Sequence, residues 1–596
     1  MTGSTRLWRL SGMDLFGDDL ASGMVAATPQ ALIAIREANF TGIWLAARLR
    51  DISRTAAFPL LGSGAAQRQD HLRQLVCRCS EAQLRLYLYL NEPCGFPADD
   101  PFWACCPEVR GAAGNSTNDG WDRSFALCTS VPKTLAFLEC GCADLFAAVP
   151  GLGGVVCITA SESHMHCYSH FEIRPTGIGA HNGQRPGETL SCPRCRERHP
   201  RDIVAEVLTA IERGVHQPAP EAEVIAWTWS WDMYDPPPQA TLIKQLPRSI
   251  IIMSDFERGG RLSYRGRRLK VDEYSLIYFG PSKRCREQLT LARRDGRRVM
   301  VRTQINNTVE MATAPNLPLA VNLFKKCSAL RQLGAEEFLA SWGFGCDLQT
   351  LNVALVKTFF QSSGSVDLNS FLTRFAADYF GLRYGQPVVR AWQSFSRAVE
   401  PFPFGFGFLY FGPFNCSLVY PLPDHEPRTR SMKIWNFDTE GWGDRIEETL
   451  PPLSMEEMLQ RLEAMHTGWA EALELYRSAL SGATCPARAT AELNVARYFK
   501  HLAHSTWTIY SWFAWRYHRE STPYLTENEV KARLREELAN LEAAKILLAE
   551  DDRLGFYEEN QMYYATPSAI HRKRKSVRDL LQSLPEINSR QKGSCP

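Results

Sequence analysis

A chain of 596 residues is longer than one hydrophobic core can organise, since single cores stop growing near about 250–300 residues, so two or three domains are expected. With 45% hydrophobic and 22% charged residues the composition is that of an ordinary globular protein, and a formal net charge of +2 leaves no electrostatic footprint for nucleic acid or a membrane surface. No stretch reaches membrane-spanning length, and the opening MTGSTRLWRLSGMDLFGDD lacks the apolar run of a secretory signal.

The 18 cysteines are too dilute for a disulfide scaffold. Several, among them Cys77, Cys79 and Cys157, fall in apolar periodic segments, where a reduced thiol acts as a small hydrophobe; a reducing compartment, the cytoplasm, is the expected location. Aromatics make up 11% of the chain, with 15 Trp, and flat indole faces stack on sugar C–H surfaces as readily as they fill cores.

From Thr28 to about Phe344, strand-like and helix-like segments alternate at the spacing of repeated βα units. Strands are expected at Leu7–Leu15, Gly42–Leu49, Leu84–Leu90, Val155–Thr159, Glu223–Trp231, Ser249–Ser254, Arg297–Gln304 and Glu337–Trp342. Helices fall between them at Pro29–Asn39, Gln67–Gln83, Pro132–Ala148, Arg201–Gly214 and Ala320–Leu333. The run Tyr274–Gly280 is either the crossover's extra strand or a strand that puts the count off by one, and Cys94 to about Asp122 is a polar loop long enough to be functional. Eight strands in about 340 residues fit a (β/α)₈ TIM barrel, placing a catalytic barrel at 1–345 with long loops after its third and fourth strands.

Beyond Gly345 the pattern becomes helical, at Leu351–Phe360, Leu368–Phe380, Gln386–Ala398, Met455–Leu480, Ala489–His518 and Thr526–Leu554. An aromatic, proline-rich insertion, Pro401–Pro423, interrupts this α-helical C-terminal domain, 346–596. The basic tract His571–Lys575 reads as a solvated tail or helix end.

Chemistry is expected where the strands end, because the βα loops of a barrel converge over its C-terminal mouth. The run Val155–Thr159 leads to Glu162; Glu92 follows the third strand, Asp255 and Glu257 the sixth, and Glu310 lies beyond the seventh. Paired carboxylates suit glycosidic bond cleavage, one protonating the leaving oxygen and the other attacking, activating water or steadying charge. Trp227, Trp229 and Trp231 alternate along the expected fifth strand and so share a face; Trp231 and Trp342 are the candidate sugar platforms, and Asn306 and Asn307 could bond hydroxyls or an acetamide.

Cys192-Pro193-Arg194-Cys195 has the spacing with which two thiolates hold one metal, and His164, His166, Cys167 and His170 lie upstream. Cys167, Cys192, Cys195 and His166 are the expected ligands of a structural zinc, with His164 or His170 as substitutes for the imidazole.

The ordered segments ITASESHMHC, SCPRCRER, EVIAWTWSW, INNTVEMATAPNLP and SWGFG resemble a group of bacterial (β/α)₈ glycoside hydrolases distantly related to the β-N-acetylhexosaminidases. That likeness, over about Ala160–Gly345, implies Glu162 as general acid and Glu310 as an active-site carboxylate; by their places at or near the strand ends, Glu92, Ser161, Trp231, Asp255, Asn307 and Trp342 are the candidates to surround a carbohydrate substrate. It departs at Ser161, where the best-known hexosaminidases carry the Asp that orients the substrate acetamide. Either Glu310 or Asp255 takes that part or the enzyme uses a direct nucleophile. The expected activity is an exo-acting β-N-acetylhexosaminidase; another retaining β-glycosidase or a carbohydrate-binding barrel are the alternatives. No nucleic acid or membrane partner is expected, and assembly with further copies of the chain stays open.

Overall fold

The computed structural model describes residues 4–13, 18–116, 119–161, 163–171, 189–271, 273–422, 446–520, 522–523 and 525–584. Short apolar runs such as Gly154–Ile158 and Ile251–Asp255 are buried at every position, so each must be covered on both faces; only a parallel sheet wrapped by helices does that. Eight such strands close a barrel: β1 Arg6–Trp8, β2 Gly42–Ala46, β3 Arg85–Asn91, β4 Gly154–Ile158, β5 Glu223–Trp227, β6 Ile251–Asp255, β7 Val299–Arg302 and β8 Phe338–Leu339. All neighbours are parallel and sequential, and β1 closes the ring by pairing Trp8 with Ile43 on one side and Leu7 with Leu339 on the other. This is the expected (β/α)₈ barrel.

The first and last strands are shorter than expected, and the fifth stops at Trp227. There Trp231 N–H turns back to Thr228 O at 3.2 Å and a 3₁₀ turn, Trp231–Met233, takes over, so the three tryptophans do not share a strand face. Tyr274–Gly280 is a loop and no strand. The expected polar loop after β3 contains structure of its own, a small antiparallel sheet in which Trp121–Leu127 pairs with both Phe96–Pro97 and Arg110–Ser116.

Gly154 opens β4 where nothing larger fits. Its φ is +152°, and a Cβ there would lie 2.0 Å from the Glu223 carbonyl oxygen of the paired strand. Gly154→Ala is therefore expected to destabilise the barrel by about 1–3 kcal/mol or more, read as a shift in the denaturant midpoint at unchanged slope.

Past the barrel the chain is helical, with Leu351–Gln361, Leu368–Phe380, Gln386–Ala398, Met455–Ala479, Pro486–Tyr517, Glu527–Glu550 and Pro567–Ser583. Ser454 and Thr526 start two of these with reciprocal capping boxes to Glu457 and Glu529. The basic tract is not a solvated tail: it lies within Pro567–Ser583, where Lys573 is buried and donates to Glu537 Oε1 at 2.8 Å and Ser417 O at 2.6 Å. A hairpin of Phe556–Tyr557 and Met562–Tyr563 returns to the barrel, setting Glu559 against Trp342 and Glu558 against the Cys346 amide. Among the described residues no helix is long and apolar enough to cross a membrane.

Candidate active site at the barrel mouth

Four aromatic side chains, three from strands and one from the segment after β8, meet inside the barrel. Trp342, just past β8, stacks on Trp44 of β2 at 5.2 Å between centroids and meets Tyr89 of β3 and Trp227 of β5 edge-on at 5.4 and 5.0 Å. Above β6 and β7, the paired residues Asp255 and Arg302 face this cluster. Asp255 accepts from Trp227 Nε1 at 2.8 Å through Oδ1, and the Arg302 guanidinium lies 3.9 Å over the Tyr274 ring and 6.0 Å from that of Trp342.

These polar groups are buried and incompletely satisfied. Asp255 Oδ2 has no hydrogen-bond partner among the described residues, nor have Arg302 Nε and Nη1, although Arg302 Nη2 donates to Gln304 Oε1 at 2.6 Å. Asn91 Oδ1 and Trp44 Nε1, on neighbouring strands, are equally unpartnered. A buried polar atom without a partner costs roughly 1–3 kcal/mol, so these atoms beside one aromatic ring set call for further hydrogen-bond partners.

The loop after β6 adds two residues that sequence reasoning missed, Glu273 and Tyr274. Glu273 accepts from Trp229 Nε1 at 3.2 Å and from the Tyr410 hydroxyl. Burial, helped by the charge of Asp255 and opposed by Arg258, pushes its carboxyl up to about 7. From the C-terminal hairpin, Glu559 accepts from Trp342 Nε1 at 2.9 Å and from the Tyr557 hydroxyl.

Of the residues singled out in the sequence, Asp255 and Trp342 meet here. Glu162 lies outside the described residues; its neighbours Ser161 and Ser163 are buried beyond the end of β4, where Ser163 N–H donates to Ser161 Oγ at 3.3 Å and His170 Nε2 lies 3.1 Å from Ser163 O. Glu310 is buried, but its carboxylate takes bonds from Ser275 Oγ, Thr308 Oγ1 at 2.8 Å and the amides of Leu276 and Ile277 at 3.0 and 3.3 Å. It braces the loop that carries Glu273 and Tyr274, with Oε2 taking three of the four bonds and Oε1 the one from Ser275. Glu92 is likewise engaged, accepting from the amides of Leu49 at 2.7 Å and Cys94 at 2.9 Å. Trp231 is fully buried with its Nε1 on Thr159 Oγ1 at 3.0 Å and packs, while Asn307 donates to Ala312 O and Ala314 O and its buried Oδ1 has no partner among the described residues.

No family model and no curated protein matches the sequence. The fold, however, is that of known glycoside hydrolases. CpGH89 from Clostridium perfringens, solved with its substrate GlcNAc-α-1,4-galactose, superposes with a TM-score of 0.50 at 9% identity over 98% of this chain. The present chain spans 64% of that protein's length. Lower overlap is found with an O-GlcNAc hydrolase of Thermobaculum terrenum, with a TM-score of 0.38 and 9% identity over 96% of this chain and 94% of that one. A family 5 glycoside hydrolase of Prevotella bryantii gives 0.33 and 8% over 61% and 98%.

Four thiols form a second cluster. The Sγ atoms of Cys128, Cys167, Cys192 and Cys195, all buried, lie within 4.8 Å of one another. Three are the expected metal ligands, but Cys128 holds the position given to His166, whose Nδ1 accepts from Tyr168 N–H at 3.2 Å and whose ring packs against Tyr234. His164 pairs with Ser124 Oγ at 2.7 Å and stacks on His170, so neither substitute imidazole is in the cluster.

Buried carboxyls make stability depend on pH with a definite sign. Glu273, Glu310 and Glu492 are each pushed up to about 7 by burial, against an ordinary value of 4.5 in the unfolded chain. At these three groups the folded state holds more protons between about 4.5 and 7, so their contribution to stability falls as pH rises through that window and levels off above it. His466, His501 and His504, pushed down to about 4 by burial, act in the opposite sense up to about 6.5. The carboxyl contribution is therefore read as a difference: the stability of wild type relative to Glu273→Gln is expected to fall between pH 5.5 and 7.5, and a difference that stays constant or rises would contradict the Glu273 assignment.

Proposed function

We propose that the chain is a glycoside hydrolase whose reaction takes place at the barrel mouth, with Glu162 as general acid and Asp255 as the second carboxylate. The observation that carries the reading is the unpartnered Asp255 Oδ2 beside the unpartnered Arg302 nitrogens, within an aromatic enclosure of the kind that holds a sugar ring. Hydroxyls of a pyranose complete those bonds, and Asp255 steadies or attacks the anomeric carbon as positive charge develops there. β4, which Glu162 follows in sequence, lies two strands from β6 around the ring, and the loops after barrel strands converge over one mouth. Glu273, its carboxyl pushed up to about 7 by burial, carries a proton below that pH and there donates a hydrogen bond without adding a further negative charge.

The substrate is a glycan ending in an N-acetylhexosamine, cleaved from its end as a β-N-acetylhexosaminidase would do. CpGH89 acts on an α-linked GlcNAc, so both anomers belong in the test. The unpaired cysteines among the described residues fit work in a reducing compartment, the cytoplasm.

The test is hydrolysis of α- and β-nitrophenyl glycosides of GlcNAc, GalNAc, galactose and glucose by the wild type and by Glu162→Gln. Turnover of a nitrophenyl N-acetylhexosaminide that the variant keeps in part, because that leaving group needs little protonation, together with loss of turnover on a disaccharide of the same sugar, supports the assignment. Binding of sugars without turnover of any glycoside would instead make this a carbohydrate-binding barrel.

A further inference from the structure

Cys128, Cys167, Cys192 and Cys195 come from three separate stretches of chain. Cys128 ends the strand Trp121–Leu127 of the small antiparallel sheet, Cys167 follows the His-rich segment behind β4, and the Cys192–Cys195 turn precedes the helix Pro200–His216. Sulfurs at the corners of a tetrahedron with metal–sulfur bonds of about 2.3 Å stand about 3.8 Å apart. Cys128 Sγ is 3.7 Å from Cys192 Sγ and 3.6 Å from Cys195 Sγ, matching that edge and far outside disulfide length.

The surroundings are arranged for thiolates. Ala112 N–H donates to Cys167 Sγ at 3.4 Å, Arg194 Nε to Cys128 Sγ at 3.3 Å, and Ser130 Oγ lies 3.3 Å from Cys195 Sγ. Four thiolates around a divalent ion leave an excess of negative charge, which the Arg194 guanidinium offsets. Gly111 gives the cluster room, since a Cβ there would come within 2.6 Å of Cys167 Sγ. Inert buried thiols need no such donors.

We propose that these four cysteines hold a structural zinc ion. All four positions are protein ligands, leaving none for water or substrate, so the ion serves architecture and not catalysis. It ties the sheet after β3 to both ends of the long excursion after β4, a junction also crossed by hydrogen bonds such as Gly95 N–H to His164 O at 2.7 Å and Ala113 N–H to Ser191 Oγ at 2.8 Å. The inference is independent of the glycosidase reading.

Metal analysis of the full-length protein, purified without chelator, tests it together with the variants Cys128→Ser and His166→Ala. One zinc per chain is expected in the wild type and in His166→Ala, and a lower stoichiometry in Cys128→Ser. Release of the zinc by a mercurial reagent with a chelator should lower the thermal midpoint, and thiol reduction followed by zinc addition should restore it. Should Cys128→Ser fail to fold, the absorption spectrum of cobalt-substituted wild type decides, showing tetrahedral coordination by four sulfurs. Iron in place of zinc, loss of zinc in His166→Ala, a spectrum with a nitrogen ligand, or the four thiols found as two disulfides would each overturn the proposal.

Discussion

Asp255→Asn is expected to lower kcat by about 10²–10⁴-fold while leaving the thermal midpoint within a few degrees of wild type. The amide keeps the shape of the carboxylate, and its oxygen can still accept from Trp227 Nε1, now at 2.8 Å, so the aromatic enclosure stays in place. What disappears is the charge on the oxygen that has no partner among the described residues. A residue serving only to hold Trp227 would lose little on this substitution, and a residue serving only to bind a hydroxyl would raise KM at nearly constant kcat. Azide separates the remaining roles: recovery of turnover with a glycosyl azide of inverted configuration marks Asp255 as a nucleophile, and no recovery marks it as a base or an electrostatic partner. Glu310→Gln should behave differently, lowering stability through the 275–277 loop more than it lowers kcat, because its oxygens already hold Ser275, Leu276 and Ile277.

The second large effect concerns the platform beneath these groups. Lys326, on the helix Ala320–Gln332, is fully buried and donates to Glu257 Oε1, to Ser275 O at 2.8 Å and to Gln304 O at 2.8 Å. One ammonium thereby joins the segment after β6, the loop carrying Glu273 and the segment after β7. Lys326→Met removes it and leaves Glu257 buried without its counter-charge, a loss of about 3–5 kcal/mol in unfolding free energy. Burial already raises the Glu257 carboxyl, with Lys326 the main opposing influence. In the variant Glu257 should take up a proton on folding, and stability should fall more steeply as pH rises than in wild type. Replacing both, as Lys326→Met with Glu257→Leu, should recover part of the loss, since two apolar groups leave no buried charge. Denaturant titrations at two pH values measure all of this.

The barrel was legible in the sequence because its strands are fully buried: Gly154–Ile158 and Ile251–Asp255 admit no other element, and Asp255 at the strand's end marked the mouth. The tryptophans of the fifth strand misled for a physical reason. Alternation in Trp227, Trp229 and Trp231 is compatible with a strand, but the chain turns at Thr228, and Trp231 goes into packing. Arg302 and Trp44 were not found, since a single Arg ending VMVR and a Trp within a buried run look the same whether they face a ligand or a core. Glu310 shows the converse: a carboxylate placed well in sequence can still be occupied by the backbone it braces. Cys128 was invisible as a ligand because it is 64 residues from Cys192, brought there by a sheet in what reads as a polar loop. Spacing reveals only ligands that are neighbours in the chain. Lys573 was misjudged because a basic run gives no sign that one of its members turns inward to Glu537.

The most direct test is a crystal structure of Asp255→Asn soaked with an intact N-acetylhexosaminide. The sugar ring should lie at the barrel mouth with its anomeric carbon beside residue 255, a hydroxyl on Arg302, and a face or edge against Trp342 or Tyr274. A ring bound elsewhere on the molecule, or a mouth that stays closed to sugar at saturating concentration, would contradict the assignment of this site.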